Sequence, residues 1–253
     1  EGNYKLIVTV DNGIASLEGV KQLNALGCDV IITDHHIVQP EVLPPAYAIM
    51  NPQLPQCDYP FKQLAGVGVV LMLIRYLGNK WEHPIEPASY FWTAVGSVAD
   101  KVPMIGMNRI LVRYALEHFY EIQDDTVEFL LRNYNRINTL SDINSFLQYT
   151  AHLLANGRDD KGRHTALRFI LQLSDAKADL FQELENQKNK WDSDLNRVFN
   201  FLDTLAADFV GNWFVYYDDE DIIPYPLLGT AATYILNKLN IPTLLLKSHN
   251  GDT

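Results

Sequence analysis

The sequence predicts an α/β protein built from a parallel-sheet domain, a helical linker and the start of a second α/β domain. Two apolar runs rich in Val, Ile and Thr, residues 6–10 and 28–33, flank a segment with helical spacing, which is typical of a strand–helix–strand unit. From about residue 109 to 208 the apolar residues recur at intervals of three and four. Strand-like runs return at 213–217 and 242–247. This order of elements indicates two α/β regions separated by helices.

The first two strands are predicted to be parallel. Four apolar residues recur at helical spacing between them: Leu17, Val20, Leu23 and Leu26. A helical crossover of this kind joins neighbouring parallel strands. Both strands are nearly all apolar, which predicts that both faces of the sheet are covered. Residues 46–50, with the sequence AYAIM, predict a third strand.

Two further helices are predicted before residue 118. Residues 64–78 are apolar almost all round, so we expect a buried helix. Gly66 and Gly68 near its start permit close backbone approach of a neighbouring element. Residues 90–99 predict a helix, or a mixture of helix and strand, that ends at Asp100. Asn108 is the candidate cap of the helix that follows.

Composition limits the classes of function. The 253 residues carry a formal net charge of −11, which argues against a protein that coats duplex nucleic acid through a general basic surface. The charge does not exclude binding of a strand along a local cationic groove, or through metal ions that offset clustered carboxylates. Cys28 and Cys57 lack the spacing of a metal motif and predict a reduced, cytoplasmic protein. The longest apolar run, residues 67–77, contains Arg75 and is too short to span a bilayer.

Acidic residues and histidines follow three separate apolar segments. Asp11 follows the first strand, the triplet Asp34-His35-His36 follows the second, and Asp100 follows residues 90–99. Ligands of parallel sheets gather at the carboxyl ends of the strands. We therefore expect Asp11 and the triplet to lie close together. Carboxylates combined with imidazoles are the ligand mixture of Mn²⁺, Fe²⁺ or Zn²⁺ sites.

Four stretches in order resemble the successive motifs of the DHH phosphoesterase superfamily, and their spacing is most similar to its RecJ branch. They are VTVDNGI, ITDHH, LAGVGVVLML and VGSVADKVPM, within residues 8–104. The resemblance implies a DHH phosphoesterase domain over residues 1–118, with its N-terminal part missing. It also implies a helical interdomain linker over 119–208 and the truncated start of a DHH-associated second domain over 209–253.

The resemblance also implies a role for each residue of the predicted site. Asp11 matches the carboxylate that bridges two metal ions, and His35 and Asp100 match metal ligands. His36 matches the histidine that faces the scissile phosphate. Asp34 is expected to orient its neighbours without binding metal directly.

A polar segment in the helical region resembles the asparagine–arginine motif of the RecJ linker. By this likeness Asn156 and Arg158 would bind substrate, with Arg158 holding a phosphate through paired donors. A plain loop arginine is an equally good reading of the same residues.

One departure from the family pattern concerns its first motif, an Asp-x-Asp pair. That motif would precede Asp11, but only ten residues do so and none is acidic except Glu1. The close of the second domain would likewise follow Thr253. We therefore expect a fragment of a longer protein, weak or inactive by itself.

The resemblance implies a metal-dependent phosphodiesterase, an exonuclease of DNA repair that hydrolyses single-stranded nucleic acid. Two divalent ions about 3.5–4 Å apart, Mn²⁺ first and Mg²⁺ second, would provide hydroxide and screen the phosphate charge. A nano-RNase or a cyclic-dinucleotide phosphodiesterase of the same superfamily is the first alternative, favoured by the acidic balance. The second is an inactive DHH scaffold that binds replication or repair proteins, favoured by the missing motif.

Overall fold

The computed structural model describes residues 4–134, 136–155, 157, 164–171 and 176–248. The chain forms two compact units, Glu1–Ala155 (the first unit) and Asn156–Thr253 (the second unit). Both contain helices and parallel strands, so the predicted α/β class is confirmed. The division into three domains at residues 118 and 208 stays a prediction.

In its described residues the first unit contains three strands and six α-helices. The strands are β1 Leu6–Val10, β2 Asp29–Thr33 and β3 Ala48–Met50. The helices are α1 Leu17–Ala25, α2 Gly66–Lys80, α3 Pro87–Ala99, α4 Gly106–Glu117, α5 Asp125–Arg132 and α6 Leu140–Ala155.

The sheet of the first unit is parallel, with the order β1-β2-β3. Val10 lies opposite Thr33, and Thr33 lies opposite Met50. All three strands therefore end at one edge of the sheet, and the residues that follow them, Asp11 and Asp34 among them, emerge there. The three strands predicted from the sequence are confirmed.

The two strands joined by α1 differ in how much of their surface is covered. Val30 and Ile32 of β2 are fully buried, as the apolar pattern predicts. In β1, however, Leu6, Val8 and Val10 are about half exposed. The expectation that both faces are covered is therefore wrong for β1 within the described chain. The reason is topological, because β1 is an edge strand of this sheet and apolar composition does not reveal what covers an edge.

Residues 87–99 form a helix throughout, so the alternative of a helix–strand mixture is wrong. Pro87 occupies the first turn, where its missing N–H costs nothing. The hydroxyls of Thr93 and Ser97 donate to backbone carbonyls four residues earlier, which satisfies these polar groups inside a buried helix. The helix ends at Asp100, and Lys101 then adopts a left-handed conformation.

Asn108 is not the cap of α4. The helix begins at Gly106, and Asn108 lies in its first turn, fully buried. Its side-chain amide donates to the carbonyls of Gln63 (2.7 Å) and Pro103 (3.0 Å). Asn108 therefore fastens the loop before α2 to the turn that follows α3, a long-range contact with no signal in local sequence.

The second unit contains a smaller parallel sheet in its described residues. Its elements are α7 Thr165–Leu171, α8 Lys177–Ala206, β4 Phe214–Tyr217, α9 Leu228–Leu239 and β5 Thr243–Leu246. The strands predicted at 213–217 and 242–247 are confirmed, and they pair in parallel with Tyr217 opposite Leu246. Residues of α8, β4 and α9 share one apolar core.

No helix among the described residues combines the length and the apolar character needed to cross a membrane.

Candidate metal centre

Asp11 lies at the carboxyl end of β1 in a left-handed backbone conformation, with φ at 59°. Its N–H donates to the carbonyl of Thr33 (2.9 Å), which continues the pairing of β1 with β2 by one residue. Aspartate tolerates this conformation better than most residues. The turn directs the chain away from the sheet and leaves the carboxylate at its edge.

The start of α2 packs directly against the Asp11 side chain. A Cβ atom built on Gly66 would overlap the carboxylate of Asp11. The close approach that the sequence predicts for this glycine is therefore confirmed, and the element it approaches is the first of the predicted metal ligands.

His35 joins the two outer carboxylates of the site. Its Nε2 lies 3.1 Å from Oδ1 of Asp11 and 3.5 Å from Oδ2 of Asp100. The three residues come from the end of β1, the end of β2 and the end of α3. The structure thus brings together side chains that are up to 89 positions apart in the chain. In the described residues, the His35 ring is in close contact with both aspartates, and neither aspartate forms a salt bridge with a lysine or an arginine.

Asp34 is the buried anchor of the site. One carboxylate oxygen accepts from the N–H of Ile14 (3.0 Å), and the other accepts from the N–H groups of His35 (2.7 Å) and His36 (3.2 Å). Burial by itself would raise the pKa of this carboxyl, but the hydrogen bonds from Ile14, His36 and His35 together lower the pKa below its ordinary value. Asp34 therefore remains ionised. Its two oxygens hold the backbone after β1, at Ile14, and the backbone after β2, at His35 and His36.

The His36 ring is exposed and fixed at one nitrogen. Its Nδ1 lies 2.6 Å from Oδ1 of Asp34, and 60% of the side chain is accessible to solvent. This hydrogen bond raises the pKa of the His36 ring above its ordinary value, against the opposing effect of partial burial. Because Asp34 is ionised, Nδ1 carries the proton of the bond, and Nε2 is the nitrogen left for a ligand.

Asn51 is a residue of the site that sequence reasoning missed. Its side-chain amide donates to the carbonyl of His36 (3.0 Å), and its own oxygen accepts from the N–H of Gln53 (2.8 Å). Asn51 directly follows β3, so its place after the third parallel strand was the available signal. It braces the turn that carries the histidines.

Negative charge is concentrated where the three segments meet. Burial raises the pKa of the Asp100 carboxyl, and the charge of Asp11 raises it further, although the His35 ring acts in the opposite direction. Ligand atoms of Asp11, His35 and His36 all lie within 4.8 Å of one another. One carboxylate and two imidazoles in this cluster, with the Asp100 carboxylate 3.5 Å from the His35 ring, form a donor set suited to a divalent cation.

Two predicted substrate-binding residues, Asn156 and Arg158, lie outside the described residues.

Residues 3–95 match the description "DHH family, N-terminal domain". The matched range contains Asp11 and the triplet Asp34-His35-His36, so the superfamily resemblance recognised in the sequence is confirmed.

The curated relatives that match are proteins named single-stranded-DNA-specific exonuclease RecJ. The protein of Bacillus subtilis is 45% identical over 118 residues, which cover 46% of this chain and 14% of the relative. The protein of Haemophilus influenzae is 42% identical over 125 residues, covering 46% of this chain and 22% of the relative. The match thus spans less than a quarter of each relative's length.

Two solved structures share the fold over nearly the whole chain. A manganese-bound exonuclease RecJ superimposes with a TM-score of 0.75 and 24% identity, covering 96% of this chain and 61% of that chain. RecJ of Thermus thermophilus in complex with Mn²⁺ superimposes with a TM-score of 0.76 and 24% identity, covering 96% of this chain and 36% of that one. At this identity the likeness establishes the fold, and the roles of the site residues stay predictions.

Proposed function

We propose that this protein is a metal-dependent phosphodiesterase that degrades single-stranded nucleic acid from one end. The observation that carries the proposal is the meeting of Asp11, His35 and Asp100 at the carboxyl edge of the parallel sheet. The names of the relatives support the substrate class, since each is a single-stranded-DNA-specific exonuclease. The DHH domain is the part of those proteins that this chain shares.

The residues present fit divalent metal ions. Asp11 and Asp100 direct two carboxylates at the same imidazole, and no lysine or arginine among the described residues neutralises them. Imidazole beside carboxylate favours Mn²⁺, with Mg²⁺ as the second choice. We assign Asp11, His35 and Asp100 as the residues that would hold two ions, with Asp11 contributing to both. Divalent ions held there would make hydroxide available at neutral pH and would screen the charge on a phosphate.

The other residues of the site act on the substrate or on its orientation. Asp34 holds the His36 ring through Nδ1 and favours its protonated form, in which Nε2 also carries a proton and can donate to a phosphate oxygen as negative charge develops on it. Asn51 holds the backbone of the same turn. We assign a phosphate contact to Arg158 and a supporting contact to Asn156 on the sequence motif alone.

The test is hydrolysis by the full-length protein in Mn²⁺. Labelled single strands of about five and about fifty nucleotides are compared with a duplex of the longer sequence. We expect progressive shortening of the long single strand and no loss of the duplex. Cleavage of the shortest strand alone would replace this proposal with a nano-RNase. Bound metal without cleavage of any linear strand would contradict the proposal and direct attention to cyclic dinucleotides or a scaffold role.

A further inference from the structure

A groove of about 510 Å³ lies against α4 and α6 in the first unit. It is lined by residues of α4 and α6 together with Val98 and Met104. Val98 precedes Asp100 by two residues, and Met104 follows it by four. The groove therefore adjoins the connection between α3 and α4, which is the segment that carries the predicted metal ligand.

One wall of the groove carries two arginines and one glutamate, Glu117. Arg109 and Arg113 both line it, and they lie one helical turn, about 6 Å, apart on the same face of α4. Arg113 donates through Nε to Glu117 (2.7 Å), which leaves the other nitrogens of its guanidinium for a second acceptor. The Arg109 side chain has no hydrogen-bond or ion-pair partner in the described part of the chain, and it is exposed. In a chain of net charge −11, this pairing of arginines is a local feature.

The rest of the groove combines apolar and amide side chains. Met104 and Leu140 are 38% and 57% exposed although both are apolar. Asn144 and Gln148 of α6 are exposed, lie four residues apart and line the same space. Aliphatic side chains pack against the faces of bases, and amides can both donate to and accept from base edges or phosphates.

We propose that the groove between α4 and α6 holds a stretch of single-stranded nucleic acid, with Arg109 and Arg113 contacting successive phosphates. The spacing of the two arginines suits neighbouring phosphates of an extended strand, and guanidinium groups bind phosphate through paired donors. This inference rests on the proposed function, since the occupant is the kind of strand that the metal centre would hydrolyse. It adds a binding surface whose arginines lie outside the four motifs found in the sequence.

The first test removes the two positive charges. Arg109→Gln, Arg113→Gln and the double variant are compared with Arg132→Gln, which removes the same charge from an exposed arginine of α5 that pairs with Glu128. Binding of a labelled strand is measured by fluorescence anisotropy in EDTA, over a range of salt concentrations. We expect Kd to rise about fivefold for each groove arginine, and the salt slope to fall by about 0.7 for each phosphate that is no longer neutralised. Arg132→Gln should match the wild type.

The second test adds a negative charge to the opposite wall. Asn144→Asp places a carboxylate in the groove, whereas Ser145→Asp adds the same negative charge one position along α6, outside the residues that line it. We expect Asn144→Asp to weaken strand binding about fivefold and Ser145→Asp to leave it unchanged. Circular dichroism of each variant verifies that α6 remains folded.

Hydrolysis of bis(p-nitrophenyl) phosphate in Mn²⁺ separates this inference from the proposed function. This small diester cannot reach from the metal centre along the groove, so the groove variants should hydrolyse it at the wild-type rate. Failure of the wild type to hydrolyse it would count against the proposed function, whereas strand binding reports on the groove alone. A double variant with the wild-type Kd and salt slope would overturn the groove assignment. A second result would also overturn it: the wild type binds an acidic, apolar-rich peptide, and the double variant loses that binding but still binds the strand.

Discussion

The two parallel sheets of this molecule end in opposite electrostatic arrangements. In the first unit, the residue after β1 is Asp11, whose N–H donates to the last carbonyl of β2. In the second unit, the residue after β4 is Asp218, whose N–H donates to the last carbonyl of β5, at Leu246 (2.8 Å). The backbone thus places an aspartate at the same point of both sheets.

The difference lies in what faces that aspartate. Asp218 is buried, accepts from the N–H groups of Ile222 and Ile223, and pairs with Lys247 at 3.3 Å. Lys247 directly follows β5, and it also contacts Asp221 and the carbonyl of Ile223. The corresponding position after β2 is Asp34, a second acid. A protein cation neutralises one sheet edge, whereas the other accumulates carboxylates around an imidazole.

An aspartate after a parallel strand is therefore not by itself a metal ligand. The residue after the neighbouring strand decides whether the charge is already balanced. On this view the acids that follow β1 and β2 are suited to binding a metal cation. Asp218 and Lys247, which follow β4 and β5, form a structural ion pair.

The largest effect is expected from removing Asp11, the aspartate that follows β1. Asp11→Ala should lower phosphodiester hydrolysis about a thousandfold or more, because the loss of a metal ligand removes several kcal/mol of transition-state stabilisation. Asp29→Ala, at the opposite end of the same sheet, should retain activity. Steady-state rates in Mn²⁺ provide the measurement, and wild-type turnover in Asp11→Ala would rule out the two-metal assignment.

The second edge should respond in stability rather than in chemistry. Lys247→Met leaves the Asp218 carboxylate buried without its cation, and we expect a loss of about 3 kcal/mol in the free energy of unfolding. Lys238→Met, which breaks the exposed pair with Asp203, should have a much smaller effect. Urea unfolding checks both. Equal losses in the two variants would contradict the structural role given to Lys247.

Substitution of the two histidines that follow β2 should affect different properties: turnover for His36 and metal binding for His35. His36→Ala should lower turnover about a hundredfold while metal occupancy is retained, since its Nδ1 is already held by Asp34 and its assigned role is to contact the phosphate. His35→Ala should lose metal. Equilibrium dialysis against Mn²⁺, run beside the kinetic assay, distinguishes them. Loss of metal in His36→Ala with retention in His35→Ala would mean that the two roles are exchanged.

A single added methyl group should produce the mildest change. Gly66→Ala would displace the Asp11 carboxylate, and a misplaced ligand should reduce turnover about tenfold. Gly229→Ala provides the matched control, because a Cβ there meets nothing within 4 Å. That variant should be neutral or more stable by about 0.5–1 kcal/mol. Unchanged kinetics in Gly66→Ala would show that Asp11 can shift without cost.

The sequence was sufficient to predict the strands and the order in which acids follow them. Apolar runs that end at Asp11 and Asp34 carry both the fold and the expectation that the two residues lie near each other, because parallel strands end at a common edge. The proximity of Asp100 depended mainly on the family motif, since it is set by how α3 packs against α2, which in turn contacts the sheet.

Other features depend on contacts between distant segments and left no local pattern. Asn108 is predicted from local sequence to be a helix cap, but it is buried between two loops. Asn51 is predicted only to close a strand, but its side chain supports His36. The exposure of one face of β1 could not be predicted for a different reason. Leu6, Val8 and Val10 are as apolar as the residues of β2, and composition records only a tendency towards burial.

The packing of Gly66 on Asp11 has an evolutionary consequence. A side chain at position 66 is incompatible with the carboxylate only while that carboxylate occupies its present place. We therefore expect the two positions to covary among related chains. Lineages that keep the aspartate should keep the glycine, whereas those that have lost the aspartate are released to acquire alanine or serine. Substitution at position 66 would then be a marker, readable from genomic sequence, of DHH domains that have abandoned catalysis.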